Sequence, residues 1–334
     1  MGEVLILGMD QILVFLISLG LLSFSGWVFF TTKVLTLGRQ ISSGAMFIIV
    51  LLILWRVFKL NLDFGIFLTL ATFFAGMSWL LGLFINLKSL EEESKSYFWI
   101  LLLILCLRSF FYEPYQIPSS SMEPGLQIGD FVLVNKFAYG LKLPAINKSI
   151  NDGPDPQRGD VAVFLPPHTL CGVKPEEARP ELATLPFQES QIFIGRFLSL
   201  QKSRCTKLGI KYIKRVIGIP GDKVEIKGYE IYINNKKLNR DLKEINGEES
   251  LYLETIGEKQ HLIRTLGILE YENYTWTIPP DKYLALGDNR DNSLDSRAWG
   301  YFSKEHLIGK GEFIWLHWGS FSEFPHFKRN KRIK

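Results

Sequence analysis

Residues 11–32 and 64–87 each run more than twenty positions without a charged side chain. About 20 apolar residues span the hydrocarbon core of a bilayer as a helix, so each run is long enough to cross. Between them, 41–58 is apolar apart from Arg56, near one end, where a long side chain can snorkel to the headgroups. A fourth run starts at Tyr97 and ends on Arg108, Ser109, Phe110, Phe111 and Tyr112, an aromatic finish suited to a membrane interface. The pattern predicts four spans, at about 11–32, 41–59, 63–87 and 97–112. The second and third are joined so tightly that three spans are the alternative. A cleaved secretory signal is the competing reading of the first run, and it lacks both the basic start and the A-x-A site. Lys33 and Arg39, Arg56 and Lys59, and Lys88 and Lys95 fall evenly among the three connections, so the positive-inside rule leaves orientation undecided.

From Phe131 onward the pattern becomes short β-type runs punctuated by turns. Phe131–Val134, Val161–Leu165, Tyr212-Ile213 with Val216-Ile217, Val224–Ile226, Glu230–Ile233, Tyr283–Leu286 and Phe313–Leu316 fit strands. Gly129-Asp130, Arg158-Gly159-Asp160, Pro220-Gly221-Asp222 and Gly287-Asp288-Asn289 supply the turns. Few segments read as long amphipathic helices. The expectation is a membrane anchor over 1–112, a mostly β domain over 113–320, and a basic tail over 321–334. Two stretches look inserted: about 168–209, without strong strand signals, and about 234–276, polar but with strand candidates of its own, a second β subdomain.

Composition sharpens the division. Only 13 of the first 111 residues are Asp, Glu, Lys or Arg, against 59 of the remaining 223. Such a split argues against a single water-soluble globule. Three cysteines among 334 residues are too few for a disulfide scaffold.

The junction Ile117-Pro118-Ser119-Ser120-Ser121-Met122-Glu123-Pro124 reads at first as a polar linker. Its apolar flanks, and the strand it runs into, argue that it is packed. A serine is inert as a nucleophile without a base. None of His168, His261, His306, His317 and His326 sits in a triad-like pattern, although triads are recognised by geometry. Lys214 is the better candidate: lysine ordinarily titrates near 10.4, and apolar burial lowers that by several units. Strand alternation puts Tyr212, Lys214 and Val216 on one face and Ile213 and Arg215 on the other, which would send Lys214 inward and Arg215 to water. An exposed strand-edge lysine is the competing reading.

Four segments together resemble the motif set of the bacterial type I signal peptidases, the membrane-bound leader peptidases. They are 118–124, Arg158-Gly159-Asp160-Val161, Lys214-Arg215-Val216-Ile217-Gly218 with Pro220-Gly221-Asp222, and Gly287 through Arg297. They stand in the family's order, after a membrane anchor. The resemblance implies a signal-peptidase-like β fold and a Ser/Lys endopeptidase needing no cofactor or metal. It makes Ser121 the nucleophile, Lys214 the general base and Ser119 an oxyanion donor. Ser293 would hydrogen-bond and orient Lys214, while Asp288, Arg290, Asp295 and Arg297 brace the site as ion pairs. Ile117, Pro118, Met122, Leu126, Val132, Tyr212 and Ile213 would line shallow pockets for the small residues of an A-x-A-like site, with plain core packing as the alternative.

The implied partners are exported preproteins, membrane lipid and a nearby secretion translocon. The implied location is the outer face of the bacterial cytoplasmic membrane. Nucleic acid is excluded for an exported domain at net charge +4. A related self-cleaving repressor would need a helix-turn-helix where this chain has spans, and a non-enzymatic membrane protein would not need Ser121 and Lys214 to meet. Cys171 and Cys205 either close the first insert as a disulfide, which an oxidising compartment permits, or are free thiols. Neither has the CxxC spacing of a zinc site. Cys106 reads as packed apolar filling within a span, and the basic tail as solvated or resting on anionic lipid.

Overall fold

The computed structural model describes residues 10–59, 64–140, 151, 153–206, 209–267, 273–320 and 323–334. The ends of some predicted elements, at 60–63, 207–208, 268–272 and 321–322, lie outside the described residues. The chain divides into two compact units, 1–109 and 110–334.

The first unit is helical: α1 (Gln11–Thr32), α2 (Thr36–Lys59), α3 (Phe64–Phe84) and α4 (Lys88–Cys106). Asp10 caps α1 by accepting from the Leu13 N–H at 2.9 Å. Arg56, expected to reach headgroups alone, instead holds Asp10 through both carboxylate oxygens at 2.9 and 2.5 Å. That pairing ties the end of α2 to the start of α1 and spares the guanidinium an unpaired position beside apolar side chains. Phe15, Leu22, Phe47, Leu70 and Phe73 stand exposed along α1 to α3. Exposed apolar side chains this dense suit lipid rather than water.

Among the described residues three helices are long and apolar enough to cross a membrane, Gln11–Thr32, Thr36–Val57 and Gly65–Phe84. The fourth predicted span differs from expectation. Its helix starts at Lys88, so its first turns carry Glu91, Glu92, Glu93 and Lys95, and only the part from Tyr97 on is apolar. It closes in a π-helical turn over Leu107–Phe111 and runs into strand β1 (Tyr112–Gln116).

The second unit is built on β2 (Asp130–Asn135), β3 (Val161–Phe164), β4 (Tyr212–Gly218), β5 (Lys223–Lys227), β6 (Glu230–Ile233), β7 (Lys236–Lys237), β8 (Asn239–Asn246), β9 (Glu249–Ile256), β10 (Lys259–Thr265), β11 (Asn273–Thr277), β12 (Lys282–Leu286), β13 (Phe302–Ser303), β14 (Leu307–His317) and β15 (Lys331–Arg332). The main sheet runs β1-β2-β14-β3-β4-β12-β13, with β15 also on β14. Register shifts within β14, between Gly311 and Phe313 and again between Ile314 and Leu316, mark bulges that bend it. A second sheet, β11-β5-β6-β7, and a three-stranded sheet, β10-β9-β8, make up the rest. Most of the predicted insert at 234–276 is therefore the three-stranded sheet, whereas β11 at its end returns to pair with β5.

Three apolar cores hold the unit. One centres on Phe164, Phe197, Trp299 and Phe302, a second on Ile217, Val224, Trp276 and Leu284, and a third on Met122, Leu126, Val132 and Ile314. The predicted insert at 168–209 contains the 18-residue helix α5 (Phe187–Arg204), which the sequence reading missed. The helix buries only a narrow stripe, Ser190, Phe193 and Phe197, whose three- and four-residue spacing lies hidden among other apolar positions.

The last segment docks on the domain, while Lys328, Asn330, Lys331, Arg332 and Lys334 keep the solvent exposure expected of its composition. Arg329 grips buried Asp130 at 2.8 and 2.9 Å, Lys331 and Arg332 pair with Ile314 and Phe313, and Ile333 packs on the third core. Asp130 also takes a 2.7 Å contact from His317 Nδ1.

Candidate active site

Ser121 lies in a single 3-10 turn, Ser120–Met122, entered from extended Ser119. The turn is fastened on both sides. The Ile117 N–H donates to the Asp130 carbonyl at 2.8 Å and the Leu126 N–H to that of Met122 at 3.0 Å. From the opposite side, the Asn289 N–H donates to the Ser121 carbonyl at 3.1 Å and Asn289 Nδ2 to the Ser120 carbonyl at 3.1 Å. Asn292 Nδ2 adds a 2.9 Å bond to Ser120 Oγ. Gly287 allows this approach, since a Cβ there would sit 2.5 Å from the Ser121 carbonyl oxygen and collide with Ser293.

Lys214 lies in the middle of β4, opposite Ala162 of β3, and is 3% exposed. Its Nζ donates a hydrogen bond to Ser121 Oγ, across 93 residues of sequence. Burial pushes the Lys214 amine down to about 8, helped by Arg297, with Asp295 and Asp288 opposing. At neutral pH a usable fraction of the amine is therefore unprotonated.

Arg215 does not face water. It is 3% exposed, bonded to both Asp288 oxygens at 2.8 Å, and it also donates to the main-chain carbonyls of Gly159 and Lys334 at 2.8 and 2.7 Å. Strand alternation places it on the face opposite Lys214, but β4 is an interior strand, and the loop after β12 and the final segment cover that face too. Burial would raise the Asp288 carboxyl, and the Arg215 charge outweighs it to hold the group below its usual range.

Asp295 is equally buried. Arg297 binds it at 2.8 and 2.7 Å, and it accepts from the Gly287 N–H at 3.1 Å. Arg290 pairs outside its own motif, with both oxygens of Glu254 on β9, at 3.0 and 2.5 Å. His261 on β10 stands 3.3 Å from Glu254 and 3.8 Å from Asp288. Glu254 and His261 escaped sequence reading because nothing in a strand hairpin marks which charge will turn inward. Asn289 and Asn292 lay inside the last motif, where a side-chain amide near a serine turn was the available signal.

Two expected roles meet a different geometry. The Ser293 hydroxyl is buried beside Gly287 and has no hydrogen-bond partner, so it does not bond Lys214, whose amine is turned to Ser121. Of the seven residues expected to line pockets, Ile117, Met122, Leu126 and Val132 are closed into the third core, at 2% exposure or less. Pro118, Tyr212 and Ile213 keep accessible surface. The Tyr212 ring centre is 5.8 Å from Lys214 Nζ. Ser119 is exposed, with its Oγ 3.4 Å from that of Ser121.

Apolar helices joined to a β domain that seats a serine hydroxyl on a buried lysine define a class, the membrane-anchored serine hydrolases. Residues 90–318 match the family model described as "Signal peptidase, peptidase S26", and the chain belongs to that family. It is 36% identical over 263 residues to a signal peptidase I from Pseudomonas aeruginosa, covering 72% of this chain and 78% of the relative. It is 30% identical over 338 residues to one from Haemophilus influenzae, covering 82% and 93%. A crystal structure of a signal peptidase I from Enterococcus faecalis aligns with 47% of this chain and 97% of its own, at 21% identity and a TM-score of 0.24. The chain is thus a signal peptidase, a serine peptidase with a membrane anchor.

Proposed function

We propose that this peptidase cleaves signal peptides from exported preproteins with Ser121 as nucleophile and Lys214 as general base. The observation that carries the reading is the hydrogen bond from a buried, readily deprotonated Lys214 amine to the Ser121 hydroxyl. The amine takes the Oγ proton while Oγ bonds the scissile carbonyl carbon. The carbonyl electron pair moves onto oxygen, which the Ser119 hydroxyl and the Ser121 N–H would receive. Collapse breaks the C–N bond, the Lys214 ammonium returns the proton to the leaving amine, and an acyl-enzyme remains. Lys214 then deprotonates a water that releases it. Asp288, Arg215, Asp295 and Arg297 hold the loop behind Lys214, and Ser293 fills space against Gly287. Pro118, Tyr212 and Ile213, which keep accessible surface, would border a substrate recess that admits only small side chains.

The catalytic domain belongs on the outer face of the bacterial cytoplasmic membrane, close to the secretion translocon, with α1 to α3 in lipid. Cleavage sites emerge there, and Ser121 follows the last apolar run by about ten residues.

The full-length protein in detergent micelles should cut a purified precursor immediately after its A-x-A site, as read by sequencing the new N-terminus. Phenylalanine in place of the second alanine should stop cleavage, and equal cleavage of both precursors would reject the reading. Ser119→Ala should lower kcat about 10²–10³-fold with little change in KM, since an oxyanion donor acts chiefly in the transition state. An unchanged kcat would remove Ser119 from the mechanism.

A further inference from the structure

One of the places where the 168–209 insert reaches the site is the Tyr212 side chain. Tyr212 opens β4, two residues before Lys214, and its hydroxyl is held from two directions. Arg204 Nη1 donates to it at 2.8 Å, and His168 Nε2 lies 3.3 Å away. His168 is fully buried, its ring stacked on Trp299 and edge-on to Tyr212. Burial pushes the imidazole down to about 4, so it stays neutral at physiological pH and cannot repel Arg204.

These two residues stand at the two feet of the insert. His168 lies in the turn Pro167–Thr169, and Arg204 ends α5. Cys171 and Cys205 join the feet as a disulfide. Around it, the Thr206 N–H donates to the Thr169 carbonyl at 2.9 Å, and Gln201 Nε2 donates to the Leu170 and Val173 carbonyls at 3.0 and 2.8 Å. An anchored hydroxyl stops the Tyr212 ring from swinging outward. A ring fixed at that place is a wall of constant position beside the Lys214–Ser121 pair.

We propose that the disulfide-closed insert acts as a brace for specificity: through His168 and Arg204 it fixes Tyr212 and so limits the size of the residue accepted next to the scissile bond. His168 and Arg204 are positioning residues, and the inference rests on the Ser121–Lys214 reading of the site.

The test uses the full-length protein and two precursors, one with alanine and one with valine immediately before the cut, and compares kcat/KM for each. Because a partly unfolded variant loses active enzyme for both precursors alike, the alanine-to-valine ratio isolates selectivity. Arg204→Met, His168→Phe and the double variant Cys171→Ser/Cys205→Ser should each lower that ratio about tenfold, the scale on which a loosened pocket stops rejecting extra methyl groups. Arg204→Met added to Tyr212→Phe should lower it no further than Tyr212→Phe alone, since both act through one hydroxyl. Ratios within twofold of wild type in all three variants overturn the brace and leave the site reading intact. Failure of the wild-type protein to cut the alanine precursor overturns the site reading, and the brace with it.

Discussion

Lys214→Met is expected to lower kcat/KM by about 10⁴-fold or more in the precursor assay, because general-base removal here also strands the nucleophile. Methionine keeps the length and apolar stem of lysine but has no lone pair able to take the Ser121 proton. The site is 3% exposed, so the exchange removes an amine whose charged form burial penalises, and the variant should melt no lower than wild type. Retention of a hundredth of wild-type activity would defeat the assignment.

The wild-type pH profile carries the same signature. Acting as general base, Lys214 would have to be neutral, and burial pushes its amine down to about 8. Below that value kcat/KM should fall about tenfold per pH unit, and above it level off. Stability has the matching sign: between about 8 and 10.5 the unfolded chain holds a proton that the folded lysine has shed, so folding should strengthen as pH rises through that window. The methionine variant should lose that dependence.

The second large effect concerns stability. Arg290→Met should destabilise the β domain by about 3–5 kcal/mol, because it leaves the buried Glu254 carboxylate without its bidentate partner. Burial would raise the Glu254 carboxyl, yet Arg290 and then His261 outweigh it and hold the group at about 2. Removing one partner therefore strands a charge that water cannot reach. Adding Glu254→Leu to Arg290→Met should restore most of the loss, since an apolar pair is often no worse than an ion pair in such a place. Thermal unfolding would show it: a drop of about 6–20 °C for the single variant, on a scale of about 2–4 °C per kcal/mol for a domain of this size. A single variant melting within 2 °C of wild type would show that the pair does not carry the junction between β9 and the loop after β12.

The sequence was most legible where chemistry is written in short motifs. The resemblance to the signal-peptidase motif set points to Ser121 and Lys214, and the fold brings them into hydrogen-bond contact. It was least legible where the outcome depends on what covers a strand. Alternation put Arg215 on the correct face, but only tertiary structure could show that this face is buried too. Four presumed pocket residues are core for the same reason: an apolar side chain beside a recess and one behind it have the same spacing. The helix α5 shows a narrow buried stripe too weak to stand out. Glu254 meets Arg290 from 36 residues upstream, with no local mark. The apolar run from Tyr97 was legible as a helix, whereas the charged turns joined to its front belong to the same element.

The bond from Arg215 to the Lys334 carbonyl closes a loop of 119 residues between the charged centre of the site and the segment that follows β15. Until residue 334 has left the ribosome and folded back, Arg215 lacks one of its acceptors and Asp130 lacks Arg329. The domain therefore completes its charged interior only after most of its strands are already made. The segment that completes the charged interior around Arg215 and Asp130 thus comes later in the chain than either member of the Ser121–Lys214 pair that this interior supports.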